Sequence, residues 1–172
     1  MNQTSIVKTL HWPDEQACQA YALSLSANVQ LRHAQLCLHG DLGSGKTSFT
    51  RHLLQALGVS GRIKSPTYAV VESYELERDG KPLSIWHFDF YRFADPSEFA
   101  DAGFRDIFAS PGLKLVEWPQ QAGGYLPRAD LVLELTVQLD ERRQIRLTPQ
   151  SAIGLALCSR ALAASTNLDS AT

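Results

Sequence analysis

Apolar positions along this chain recur at two spacings, and the changes between them mark its elements. From Pro13 to Asn28 the residues Ala17, Tyr21 and Leu25 repeat every four positions, which predicts a helix. Pro13 suits its first turn, and Asp14 and Glu15 suit the positive end of its dipole. Gln35-Leu36-Cys37-Leu38 is a short apolar run fit for a buried strand. Beyond a glycine-rich break, Phe49, Leu53, Leu54 and Leu57 return to helical spacing, and Gly58 stands where a helix stop belongs. Gly61 to Thr67 has loop composition. Tyr68 to Tyr74 is rich in β-branched and aromatic residues and predicts a strand, as does Ser84 to Tyr91. The short turn Arg78-Asp79-Gly80-Lys81 near their junction predicts an antiparallel hairpin.

Further on, Asp95-Pro96-Ser97-Glu98 predicts a short capped helix that Gly103 breaks before Arg105 to Phe108. Lys114 to Trp118 reads as a short apolar strand ending in a carboxylate. Leu131 to Leu139 and Gln144 to Leu147 read as a second hairpin across Asp140 to Arg143. Ala152 to Ala164 fits a weak helix, and Ser165 to Thr172 a frayed tail. No repeat or low-complexity linker interrupts the order, so residues 1–164 are expected to form one domain.

The glycine-rich break changes the picture from fold to chemistry. Gly40-Asp41-Leu42-Gly43-Ser44-Gly45-Lys46-Thr47 fits G-x-x-x-x-G-K-[ST], the phosphate-binding loop of nucleoside triphosphatases, with a strand before it and a helix after it. Gly40, Gly43 and Gly45 allow a tight turn that aims backbone N–H groups of the Leu42 to Lys46 segment at phosphate oxygens. The following helix adds its positive end. In such a loop Lys46 reaches the β- and γ-phosphates, and the Thr47 hydroxyl ligates magnesium.

Composition narrows the classes of partner. Of 172 residues 44% are hydrophobic, an ordinary globular share, and the formal charge of −2 gives no sign of broad binding to DNA or to an anionic membrane. No apolar run is long enough to span a bilayer, and the first residues lack a signal-peptide pattern. Three scattered cysteines, Cys18, Cys37 and Cys158, have no metal-binding spacing and suit a reducing compartment, so the cytoplasm is expected.

Two acidic residues stand where a phosphate loop needs them. Asp89 lies in the apolar stretch Ile85 to Tyr91, where an unpaired carboxylate is costly. Glu117 ends its apolar strand, and ligands of open α/β sheets gather at the strands' carboxyl ends. Either each serves the site, or each bonds to backbone or to a neighbour such as Arg92.

The motifs, taken in order, extend the reading. Gly-Asp-Leu-Gly-Ser-Gly-Lys-Thr (40–47), Lys-Ser-Pro-Thr-Tyr (64–68), His-Phe-Asp-Phe-Tyr-Arg (87–92), Gly-Phe-Arg-Asp (103–106) and Leu-Val-Glu-Trp-Pro (115–119) together resemble the TsaE family, formerly YjeE. These are small bacterial ATPases of tRNA threonylcarbamoyladenosine synthesis. The likeness spans about Trp12 to Pro127. It implies an α/β, phosphate-loop NTPase-like domain with a mostly parallel central sheet, flanking antiparallel strands and helices on both faces. It also implies ATP and magnesium as ligands and TsaB and TsaD as partners, with tRNA met only through that complex. By matching motif, Thr47 and Glu117 would hold magnesium, Asp89 would be a catalytic carboxylate, and Thr67 would lie in a switch-like loop. Trp118 would sense or shape the site, and Glu15 would lie near the adenine. Gly103-Phe104 replaces the commoner Gly-Ile.

Other residues fit plainer roles. His87 shares a strand face with Asp89, yet fits a hydrogen-bonded core histidine; Trp86, Phe88 and Phe90 occupy the opposite face as core. Arg142-Arg143 reads as a solvated pair in a turn. A small-molecule kinase would use the same loop but needs an acceptor pocket and an arginine-bearing lid, for which no segment stands out. A nucleotide-sensing scaffold that does not cleave ATP is the other alternative, and Asp89 and Glu117 argue against it.

Overall fold

The computed structural model describes residues 6–165. The residues 166–172 of the expected tail lie outside that range. Seven strands form one sheet: β1 (Lys8–Trp12), β2 (Gln35–His39), β3 (Val71–Arg78), β4 (Lys81–Asp89), β5 (Leu113–Glu117), β6 (Leu131–Val137) and β7 (Arg143–Pro149). Their order is β1-β7-β6-β2-β5-β4-β3. The central four, β6, β2, β5 and β4, run parallel. The edges are antiparallel: β3 pairs with β4, β7 with β6, and β1 with β7. The expected α/β architecture, parallel in the middle and antiparallel at its flanks, is the one found.

Helices cover both faces. On one face lie α1 (Glu15–Ser26), α2 (Lys46–Leu57) and α5 (Ala152–Ser165), packed through residues such as Leu25, Leu53, Leu54 and Leu157 on Leu36, Leu38, Leu115 and Leu133 of the sheet. On the other lie α3 (Glu98–Asp101), α4 (Arg105–Ala109) and a 3-10 segment at Pro119–Tyr125, which enclose a cluster built from Phe88, Phe90, Phe99 and Phe104. Alternation along β4 divides the faces. Phe88 and Phe90 point into the aromatic cluster, while Ile85, His87 and Asp89 face the side of α2. Both central neighbours β2 and β5 are buried on both faces, apart from His39 at the end of β2, which accounts for their continuous apolar runs.

Several boundaries differ from the sequence expectation for local reasons. The first helix starts after Asp14, whose carboxylate accepts the Ala17 N–H at 2.9 Å and so acts as the cap. It ends at Ser26, and Val29–His33 continues as a 3-10 segment capped by Asn28. The third strand begins at Val71, three residues later than expected. The Val70 N–H donates to Pro66 O at 2.6 Å and Val70 has φ +70°, which closes a turn before the strand can start. The fourth strand runs Lys81–Asp89 where Ser84 to Tyr91 was expected, and the second hairpin spans Leu131–Val137 and Arg143–Pro149. In the turn before α3 the Asp95 carboxylate accepts the Ser97 N–H and Glu98 accepts the Ala94 and Asp95 N–H groups, so the helix starts after Ser97, two residues beyond the expected cap Asp95; Gly103, at φ +73°, separates it from α4. Strand β1 has no apolar signature because alternate residues on this edge strand face solvent. No described helix is long and apolar enough to cross a membrane.

Candidate functional site

The loop between β2 and α2 crosses the carboxyl end of the parallel strands, where open α/β sheets hold their ligands. Two of its glycines are required by geometry. A Cβ on Gly40 would lie 2.5 Å from both Leu135 O and Ser44 Oγ. Gly45, the residue that opens α2, has φ +108°. The result is a helix start whose N–H groups face a cavity of about 280 Å³, lined by Leu42, Gly43, Gly45, Lys46, Thr47, Ser48, Ser65, Thr67, Asp89, Tyr91, Glu117, Trp118 and Arg143.

Lys46 is buried, and its ammonium donates to Gly40 O at 2.6 Å and Asp41 O at 2.8 Å. It also stands 4.2 Å from the centre of the Trp118 ring, a cation–π contact. Burial lowers its pKa, opposed by Glu117, Asp89 and Asp41. Trp118 is held over the lysine by a left-handed backbone, φ +56°, directly after β5, and packs on Tyr91 with ring centres 4.9 Å apart.

The carboxylates come from adjacent strands. Asp89 and Glu117 are partners in the β4–β5 register, so both strands end at the cavity side by side. Glu117 is buried, and both its oxygens are engaged: Oε2 accepts from the Thr47 hydroxyl at 2.8 Å and Oε1 lies 2.8 Å from His87 Nε2. An ionised carboxylate only accepts, so this contact places a His87 hydrogen on Nε2, while the buried Nδ1 has no hydrogen-bond partner among the described residues. Asp89 accepts the Tyr91 N–H at 2.9 Å on one oxygen. On the other it accepts the Thr67 hydroxyl at 3.0 Å and the Ser65 hydroxyl. Neither carboxylate is paired with Arg92, whose guanidinium lies 4.0 Å from the centre of the Tyr68 ring. The 65–67 loop is thereby tied to Asp89, and the phosphate-loop helix to Glu117.

Of the residues read from the sequence, Leu42, Gly43, Gly45, Lys46, Thr47, Thr67, Asp89, Glu117 and Trp118 line this one cavity. Ser44 and Glu15 line a neighbouring hollow of about 170 Å³ beside α1, and Glu15 meets His52 at 3.1 Å. His87 is the buried, hydrogen-bonded histidine expected, and the partner the sequence did not name is Glu117. The shared strand face was the only signal for that contact. Arg143 also departs from the solvated reading, since it is half-buried and lines both hollows, whereas Arg142 is exposed and pairs with Asp140 at 3.1 Å. Nothing in the local sequence distinguishes these two arginines.

A parallel core, a glycine loop between its central strand and a helix, and a lysine, hydroxyl and paired carboxylates at the strand ends define the phosphate-loop NTPase-like class of α/β protein. Comparison with known proteins is more specific. A family model described as "Threonylcarbamoyl adenosine biosynthesis protein TsaE" matches residues 12–145. The "tRNA threonylcarbamoyladenosine biosynthesis protein TsaE" of Haemophilus influenzae is 38% identical over 150 residues, covering 85% of this chain and 92% of that protein. The Bacillus subtilis protein of the same name is 37% identical over 113 residues, 66% of this chain and 68% of its own length. A crystal structure of Bacillus subtilis YdiB superposes with a TM-score of 0.72 at 29% identity, over 94% of this chain and 99% of that one. The chain belongs to the TsaE family, whose role is in tRNA threonylcarbamoyladenosine biosynthesis.

Proposed function

We propose that this protein binds ATP with magnesium, hydrolyses it slowly, and acts as a switch for a TsaB–TsaD complex that modifies the adenosine beside the tRNA anticodon. The observation that carries this reading is the convergence of Lys46, Thr47, Asp89 and Glu117 on one cavity beneath the start of α2. The donor set fits the ligands. The Thr47 hydroxyl and Glu117 carboxylate are hard oxygen donors 2.8 Å apart, suited to magnesium, which takes one or two protein oxygens besides phosphate and water. Magnesium bound there would neutralise charge on the phosphate oxygens.

The chain's own residues divide the remaining work. The N–H groups of the loop and Lys46 hold phosphate oxygens; a bound phosphate competes with Gly40 O and Asp41 O for the lysine's donors. Asp89, fixed by Tyr91 N–H and by the 65–67 hydroxyls, is placed to orient the attacking water. Thr67 shares its hydroxyl between that carboxylate and the cavity, so a γ-phosphate contact at Thr67 would loosen or tighten the 65–67 loop and the strand β3 that follows. tRNA is met through the partner complex.

The test is phosphate release by the purified chain with magnesium, alone and with TsaB and TsaD. Parent protein should release phosphate, faster with partners, while Lys46→Ala should lose hydrolysis and bind ATP more weakly. A Lys46→Ala variant that binds and cleaves ATP like the parent would refute the nucleotide assignment.

A further inference from the structure

At the end of the sheet opposite the phosphate loop, a hollow of about 340 Å³ opens between the 3-10 segment Val29–His33 and the turn from β3 to β4. Leu57, the last residue of α2, lines it, whereas Lys46, the first, lines the phosphate-loop cavity. The helix between them is about 18 Å long. Three buried leucines, Leu31, Leu57 and Leu83, form the floor. The walls are cationic: Arg32, Arg78 and Lys81 line the hollow with one carboxylate, Asp79. Three cations against one carboxylate leave a surplus of two positive charges, in a chain whose formal charge is −2. Both guanidiniums are half-buried and held by backbone carbonyls. Arg32 Nη2 donates to Arg78 O at 3.3 Å and Arg78 Nη1 to Ala56 O at 3.5 Å, so each keeps most of its five N–H donors. Arg78 Nε stands 4.0 Å from the exposed Asp79 carboxylate, while among the described residues Arg32 and Lys81 have no ion pair within 4.0 Å. Attraction to the carbonyl end of α2 accounts for Arg78 but for neither of the others.

We infer that this hollow binds a small phosphate monoester, at a site separate from the phosphate loop. Such a group carries a charge of about −1.5 to −2 near neutral pH, which matches the surplus. Its three oxygens suit the planar forks of Arg32 and Arg78 and the point charge of Lys81. A single carboxylate brings one charge and two oxygens, and would leave part of the surplus unopposed. Size and lining describe the rest of the ligand. The volume falls at the lower end of small-molecule sites, about 300–1,000 Å³, and is more than a bare phosphate fills, so the ester carries an organic body. Among the described residues no aromatic ring lines the hollow to stack on a base, and the leucine floor suits the C–H face of a sugar or an aliphatic chain. The inference does not depend on the nucleotide reading above, because no residue of this hollow lines the phosphate-loop cavity.

The experiment titrates ribose phosphate into isotope-labelled chain and follows amide shifts by NMR, for the parent, Lys46→Ala, Arg32→Gln, Lys81→Gln and Arg142→Gln, with a thermal melt of each. Shifts should concentrate in Val29–His33 and Arg78–Lys81 and saturate at one ligand per chain, in the parent and in Lys46→Ala alike. Arg32→Gln and Lys81→Gln should each raise the dissociation constant by about 10- to 100-fold, the loss of a hydrogen-bonded charge. Arg142→Gln, which removes an exposed cation elsewhere, should match the parent. Ribose alone should not bind, and succinate, whose two negative charges sit on separate carboxylates, should bind more weakly than the phosphate. If Arg32→Gln loses its thermal transition, Lys81→Gln carries the test, since that side chain is exposed and makes no ion pair within 4.0 Å. No saturable shifts in the parent, parent-like binding by the folded Lys81→Gln variant, or succinate binding as tightly would overturn the inference. Shifts confined to the phosphate loop and abolished by Lys46→Ala would also overturn it, and would leave the nucleotide reading standing.

Discussion

Replacing His87 tests whether Glu117, the carboxylate proposed to hold magnesium, is positioned from beneath. His87 is fully buried, and its Nε2 donates to Glu117 Oε1 at 2.8 Å while Thr47 holds Oε2. His87→Leu keeps most of the volume but removes the donor. A hydrogen bond to a charged group contributes about 1.5–3 kcal/mol, and leucine also removes the unpartnered Nδ1, so the net loss should lie near the low end, about 2 kcal/mol. In a domain of this size that lowers Tm by about 4–8 °C. His87→Gln restores an N–H donor on a flexible stem and should recover at least half of the loss. Differential scanning fluorimetry reads the stability, and magnesium titration of nucleotide binding reads the positioning, because a Glu117 freed at Oε1 should demand more magnesium. A merely space-filling histidine would move Tm alone. If the leucine variant keeps the parent's Tm and magnesium requirement, or if glutamine is as damaging as leucine, the positioning argument fails.

The two carboxylates should be separable: Glu117→Gln should raise the magnesium needed for nucleotide binding, and Asp89→Asn should mainly slow turnover, so identical behaviour in both assays would defeat the division. Thr67→Ala should leave ADP affinity nearly unchanged yet reduce the preference of TsaB–TsaD for the ATP-analogue form over the ADP form; an unchanged ratio would make Thr67 purely structural. Burial pushes the thiols of Cys18 and Cys37 up to about 12 from 9.0, so neither should react with an alkylating agent near pH ~8 until the chain unfolds. The linked stability is complete below pH 9.0 and falls as pH rises toward about 12, because unfolded thiols release protons that the folded ones keep; rapid labelling of folded protein would contradict this.

Local chemistry was legible wherever one residue's neighbours in the chain decide its conformation. The phosphate-loop motif, the helix stop at Gly58, the Arg78–Lys81 turn and the break at Gly103 all depend on glycine tolerance and short-range spacing, and each stands where the sequence placed it. Continuous apolar runs likewise marked β2 and β5, because strands covered on both faces admit few polar residues. The edge strand β1 and the start of β3 were not legible, since partial exposure blurs the alternation and the Pro66–Val70 turn displaces the strand. The site's connections belong to tertiary structure. Parallel register between β4 and β5 sets Asp89 beside Glu117 and brings His87 beneath it, although 30 residues separate histidine from glutamate in the chain. Pairing of β7 with β1 carries Arg143 to the phosphate loop and leaves Arg142 in solvent beside Asp140. Two adjacent arginines have nearly the same local sequence, so only the alternation of a paired strand and the place of its partner could assign them different surroundings.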